Sequence, residues 1–384
     1  MKKNIKNNNI VTDLLFFVPP VLALFAYFIG GDTMSGKVFM VCNVMGTALL
    51  MTYTNTPIIR NLLIAISIYF ITYLFIGKEY EGARMYLSAT LYTIVTLLYF
   101  SNNKYTIYTN GGIKKMDTLI GVFASVLILG QMMSIDNPMS FIRLNYNSVE
   151  EDALNKKGFL ISHAFGYYLA TFAMYYAFRK KVFNLTVLTL LCFFFSRRTV
   201  VLLCLLGWFY YFKERFGKKK ALIISSIAIV IIGSYIGFTT YFGNFAFSLD
   251  PYDSESASFT SGRSRFWGAF IYFKLLNSNT PLNEIIFGAG PASSRDFNLQ
   301  YCGINVWMHN DFFDLLFCLG IIGLAIYIYA FISSCKQLGW YFGVFVLIAA
   351  NMNGFMLYQT FPIIYLFAII KSIECYNNRN GIKN

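Results

Sequence analysis

Residues 181–213 read KVFNLTVLTLLCFFFSRRTVVLLCLLGWFYYFK, a basic residue at each end and two apolar arms joined by Ser196-Arg197-Arg198-Thr199. The 31 residues between Lys181 and Lys213 are too apolar for a surface and are interrupted once, by a polar turn. They read as two membrane crossings. Each arm of about 15 residues spans roughly 23 Å as a helix, less than the hydrocarbon thickness of a bilayer. Either the flanking cations snorkel to water, or the turn lies recessed below the far surface with its arginines partly desolvated. Recession is the reading carried forward. An intramembrane arginine pair is costly unless an anion meets it, so Arg197 and Arg198 are candidates for anion binding.

The same pattern continues along the chain. Of its 384 residues, 57% are hydrophobic, 19% aromatic and only 13% charged, about half the charged share of a soluble domain. Apolar runs near 14–30, 38–53, 58–76, 85–100, 118–134, 158–178, 182–195, 199–212, 221–242, 311–332, 338–352 and 356–373 predict about twelve spans of an all-α polytopic membrane protein. The first run carries Pro19 and Pro20 and no small-residue cleavage site, so it reads as a retained helix. With both termini cytoplasmic, 19 of the 31 Lys and Arg residues fall inside, including the dense clusters at 179–181 and 213–220. The net charge of +13 is thus a topology signal and does not point to nucleic acid. The chain reads as one transmembrane domain over 1–384.

Two outward loops stand out: Ile135–Lys157, with Glu150, Glu151 and Asp152, and the longer Gly243–Met308. The second is expected to hold short interfacial helices. It contains SGRSRFW (261–267) and FGAG (287–290) and runs into HN-x9-G-x-x-G, formed by His309, Asn310, Gly320 and Gly323. Ser261 can cap a helix starting at Gly262, whose apolar face of Phe266, Trp267, Phe270 and Phe273 would lie along the membrane, with Arg263 and Arg265 beside its N-terminus. Two guanidinium groups next to free backbone N–H groups suit a phosphate. His309 and His163, the two histidines, fall at outward mouths of the tenth and sixth spans, where each can serve as a general base or as a structural hydrogen-bonder. Gly288 and Gly290 allow a tight turn or a close backbone approach to a ligand. Gly320 and Gly323, one turn apart, suit close helix packing.

Absences narrow the chemistry. The sequence has no Asp-x-Asp pair, no Walker loop and no His/Cys cluster at metal-ligand spacing, so neither metal, nucleotide nor other cofactor is expected. The seven cysteines form no disulfide framework. Charges are nearly lacking deep in the apolar runs, which argues against an ion-coupled transporter.

These segments resemble the O-antigen polymerase and O-antigen ligase superfamily: many spans, a large late outward loop, SGR-x-x-x-W, and HN followed nine residues on by G-x-x-G. The Ser-Arg-Arg-Thr turn and GFLISHAFGYYLA (158–170) look like further family blocks. The resemblance implies a GT-C-like membrane glycosyltransferase in the bacterial inner membrane, its active site facing outward. Its donor would be an oligosaccharide on undecaprenyl diphosphate, with the lipid diphosphate as leaving group. It implies Arg198 and Arg263 as diphosphate-binding groups and His309 as the group that positions or deprotonates the acceptor hydroxyl. Arg197, Arg265, His163, Asn310, Gly288 and Gly290 follow as substrate-binding candidates. A leaving diphosphate wants fixed cations, and removing one such donor typically costs about 3–4 kcal/mol of transition-state stabilisation. The chain is read as a polymerase of O-antigen or capsular repeat units, with donor and acceptor both lipid-linked and a chain-length regulator as possible partner. A ligase acting on the lipid A core is the alternative. A lipid-linked-oligosaccharide flippase is the second, and it predicts two pseudo-symmetric halves and no long outward loop.

Overall fold

A computed structural model describes residues 2–54, 57–76, 80, 82–102, 110–133, 163–195, 198–227, 230, 263–276, 280–303, 305, 307–352, 354–356 and 360–379. Among them the regular structure is helical, with no strand. The helices are α1 (Lys2–Thr52), α2 (Pro57–Ile76), α3 (Ala83–Asn102), α4 (Asn110–Met133), α5 (His163–Phe178), α6 (Val182–Phe195) and α7 (Arg198–Phe216). They continue with α8 (Arg263–Phe270), which runs into a π-helical turn Ile271–Leu275, then α9 (Leu282–Phe287), α10 (Ser293–Cys302), α11 (Asp311–Leu338), α12 (Trp340–Met352) and α13 (Phe361–Arg379). The apolar arm 182–195 is α6, end to end. By length and composition one described helix, α11, is long and apolar enough to cross a membrane, and six shorter apolar stretches lie in α1 (two), α2, α6, α8 with its π-helical turn, and α12. Helix α3 falls short by composition: it buries Thr90, Thr93, Thr96 and Ser101 among its aromatic residues, which lowers its mean hydropathy.

The 51 residues of α1 form one helical run where two spans were expected. A straight helix would hold Phe16 about 45 Å from Gly46. Both instead touch one short aromatic chain. Phe16 lies edge-on to Tyr365, Tyr365 on Phe361 and Phe361 on Tyr92, at centroid separations of 5.8, 5.7 and 6.2 Å, and the Tyr92 ring lies against Gly46. α1 is therefore sharply bent, and its apolar runs 14–30 and 38–53 share one core. Exposed apolar residues follow helical spacing: Ile10, Leu14, Val18, Leu22 and Phe25 on α1, and Ile321, Ile328, Tyr329 and Ile332 on α11. Contiguous apolar faces of this kind are rare on soluble monomers and mark surfaces that meet lipid or a partner.

Helix ends sort into two groups. At one end Lys115 of α4 pairs with Asp13 of α1, and Lys181, just before α6, pairs with Asp117 of α4 at 2.6 Å. Phe178 at the end of α5 stacks on Tyr210 of α7 at 3.6 Å, Tyr341 of α12 closes this cluster, and Lys213 lies over the Tyr210 and Tyr341 rings at 5.9 and 5.6 Å. The clusters 179–181 and 213–220 thus sit at one end. Because α5 and α7 finish here, their first residues, His163 and Arg198, lie at the opposite end, Arg198 about 27 Å from Phe216 along the helix axis. That opposite end also receives the start of α11 and helices α8, α9 and α10.

Candidate functional site

The site is organised by a break in α11. Gly320 has φ 65° and ψ −167°, a region that is essentially glycine-only, so the helix is interrupted between Leu319 and Ile321. The break deprives the Phe317 and Cys318 carbonyls of their helical donors. The backbone N–H groups of Ala289 and Gly290 replace them, donating to Phe317 O at 2.8 Å and Cys318 O at 3.1 Å. The crossing is too tight for a side chain. A Cβ on Gly288 would fall 2.4 Å from the Cys318 carbonyl, and one on Gly320 would fall 2.3 Å from Ile286 O. At FGAG, where a tight turn or a close approach to a ligand was expected, the backbone that approaches is that of α11. Gly320, expected to serve helix packing, instead makes the break; Gly323, a turn later, is buried beneath Leu319.

His309 stands directly before α11 with φ 55°, a left-handed conformation that costs a non-glycine residue about 1–2 kcal/mol. Its flanks are fixed on both sides. Met308 N–H donates to the Asp314 carboxylate at 3.3 Å, and Met308 C=O accepts from Trp267 Nε1–H at 2.9 Å. Asn310 is the N-cap, its Oδ1 accepting from Phe312 N–H at 3.0 Å and Phe313 N–H at 3.1 Å, while its Nδ2–H donates to Asn351 Oδ1 at 3.0 Å. The imidazole is half-buried, 6.3 Å from the Phe266 ring. The backbone that presents His309 is thus held on both sides, as a positioning group or base requires.

The acids that follow His309 are braces. Asp311 is buried and accepts from Phe355 N–H at 2.7 Å and Met356 N–H at 3.0 Å, tying α11 to the turn before α13. Asp314, also buried, accepts from Ser294 Oγ–H at 2.6 Å and so holds α10. Phe266 and Phe270 are buried, and Trp267 and Phe270 lie 5.8 and 5.4 Å from Phe313. The aromatic face of α8 therefore packs on α11 where a resting place along a membrane surface was expected. Helix α8 begins at Arg263; Ser261 and Gly262 lie outside the described residues.

Sequence reasoning passed over Arg295 on α10. Its guanidinium lies over the Trp307 ring at 5.4 Å, its Nε–H donates to Asn305 Oδ1 at 2.9 Å, and Trp307 stacks on Tyr86 at 5.3 Å. It belongs to the segment that leads into His309, and no motif marks it. Of the arginines singled out, Arg197 lies outside the described residues. Arg198, Arg263, Arg265 and His163 are placed by their backbones, within the first turns of α7, α8 and α5 at the same end of the bundle as His309. Segments 263–270 and 308–314 thus meet at the start of α11, and 287–290 crosses the same helix at its break.

Comparison with known proteins finds no match: no family model fits the chain, no curated protein is significantly similar to it in sequence, and no solved structure is significantly similar.

Proposed function

We propose that this chain is a polytopic inner-membrane glycosyltransferase of about twelve crossings, GT-C-like, that polymerises oligosaccharide repeat units carried on undecaprenyl diphosphate. The observation that carries the reading is the framing of His309 at the start of α11 by Trp267 of α8 and the Asn310 cap, with FGAG crossing the same helix further on, at the Gly320 break. The basic end faces the cytoplasm and the His309 end faces outward, as the Lys and Arg distribution favours. With α6 only 14 residues long, about 21 Å, a Lys181 anchored at the inner headgroups leaves the far end of α6, and the start of α7 at Arg198, below the outer surface. Arg198 and Arg263 then stabilise the departing lipid diphosphate while His309 positions or deprotonates the acceptor hydroxyl. The sugar–phosphate oxygen bond breaks, the acceptor oxygen takes the anomeric carbon, and the hydroxyl proton leaves by way of the imidazole. Arg197, Arg265 and His163 complete the cationic and hydrogen-bonding surroundings.

A deletion strain tests this. Lipopolysaccharide bearing a single repeat unit on the core is the expected result. Bare core with lipid-linked polymer accumulating would instead assign the ligase activity, and an unchanged polymer ladder would remove both.

A further inference from the structure

The basic end does more than record topology. We propose that it binds the phosphate of anionic phospholipids, through lysines that no carboxylate among the described residues neutralises, and so selects such lipids around the α7–α12 corner. This rests on the membrane-spanning part of the function proposed above and on none of its chemistry.

Charge complementarity carries the inference. Each of the four described carboxylates at this end already has a lysine: Asp13 with Lys115, Asp117 with Lys181, Glu214 with Lys213 and Glu374 with Lys371. Beyond those pairs, Lys114, Lys180, Lys218, Lys219, Lys220 and Lys336 are exposed, and none of them pairs with a carboxylate among the described residues. Lys218–Lys220 follow directly on α7 across Gly217, whose C=O accepts from Ala221 N–H at 3.0 Å. Exposed aromatic and apolar groups adjoin the surplus charge: Phe216 at the end of α7, Leu222 and Ile223 after the lysines, and Trp340, 51% exposed, at the start of α12. Trp340 stacks on Tyr341 at 3.6 Å, beneath Lys213. Ammonium groups beside an aromatic and aliphatic rim match a headgroup phosphate with its acyl chains alongside. A soluble acidic protein would satisfy the charge but leave that rim without a partner.

Trp340 provides the readout. The full-length protein is placed in phosphatidylcholine vesicles containing a minority of phosphatidylglycerol, with bromine on the acyl chains of one lipid or the other. The Trp340 component is the difference in quenching between the parent and Trp340→Phe. The parent is expected to be quenched by brominated phosphatidylglycerol beyond its share of the bilayer. In Lys218→Gln/Lys219→Gln/Lys220→Gln this selectivity falls at least fivefold, since one cation near an anionic surface is worth roughly that factor at low salt. The corresponding triple arginine variant keeps it, and salt at about 1 M, where the Debye length is about 3 Å, removes it. Equal quenching by the two lipids in the parent, or selectivity that survives the glutamine variant, overturns the proposal and leaves the membrane reading standing. Selectivity abolished by inorganic phosphate at constant ionic strength makes this a soluble-phosphate site and overturns the lipid assignment. Trp340 untouched by either brominated lipid overturns the proposal and the membrane reading at this end together.

Discussion

Substituting Gly320 by alanine is expected to be far more damaging than a single methyl group suggests, and three further glycines show why. A non-glycine residue at φ 65°, ψ −167° carries about 1–3 kcal/mol of backbone strain. The new Cβ would also sit 2.3 Å from Ile286 O, an atom of backbone that cannot swing away, and forced displacements of this kind cost about 1–3 kcal/mol more. If the crossing opens, the two hydrogen bonds from Ala289 and Gly290 to α11 go with it, about 1 kcal/mol each. The sum is about 4–8 kcal/mol. Gly339 isolates the strain, because it holds a similar conformation, φ 93° and ψ 169°, with nothing within 4 Å of its Cβ position. Gly339→Ala should therefore lose only about 1–3 kcal/mol. Gly121, helical and open, should lose nothing and gain up to about 1 kcal/mol as alanine. Gly288→Ala should resemble Gly320→Ala, and the double variant should cost well under the sum of the two, since one crossing can be opened only once. Equilibrium denaturation in mixed micelles followed by circular dichroism gives the comparison. Equal losses for Gly320→Ala and Gly339→Ala, or strict additivity of Gly288→Ala and Gly320→Ala, would refute the crossing as the source of the cost.

Other consequences are as direct. Asp311→Ala strands the N–H groups of Phe355 and Met356 and should destabilise by about 1–3 kcal/mol for each, read in the same denaturation experiment. Asn310→Ala removes a cap worth about 1 kcal/mol, and polymer length in complemented cells should change little if capping is its role. Lys180 has φ 55° in the turn between α5 and α6, so Lys180→Gly should raise stability by about 1 kcal/mol, where Lys180→Ala should not. Arg198→Ala, Arg263→Ala and His309→Ala should each lower polymer formation by about a hundredfold or more while expression is retained, scored by ladder intensity against protein level.

Helix positions were legible wherever a long apolar run is bounded by charge. Lys181 directly precedes α6, and Arg198 and Asp311 each head the helix expected of them or fall within a turn of its start. What escaped depends on contacts between distant residues. Asp311 acts on Phe355, 44 positions away, and Asp314 on Ser294, 20 positions away, and neither partner carries a local signal. The G-x-x-G spacing reads equally well as helix packing and as a break. Only the backbone of residues 286–290 lying across it decides for the break at Gly320. Arg295 was missed because its partners, Asn305 and Trp307, lie beyond the end of α10 and form no motif with it in sequence. The apolar runs 14–30 and 38–53 were read as two spans, and the helical hydrogen bonding of α1 runs through both.

The central claim is that the convergent end of the bundle transfers glycans from lipid diphosphate. The most direct measurement is elongation of synthetic undecaprenyl-diphosphate repeat units by purified protein in detergent, with products resolved by mass. Parent protein should yield a ladder of added repeats, and Arg198→Ala and His309→Ala should leave the starting unit unextended. A parent that never extends the unit, or variants that extend it as fast as the parent, would contradict the account.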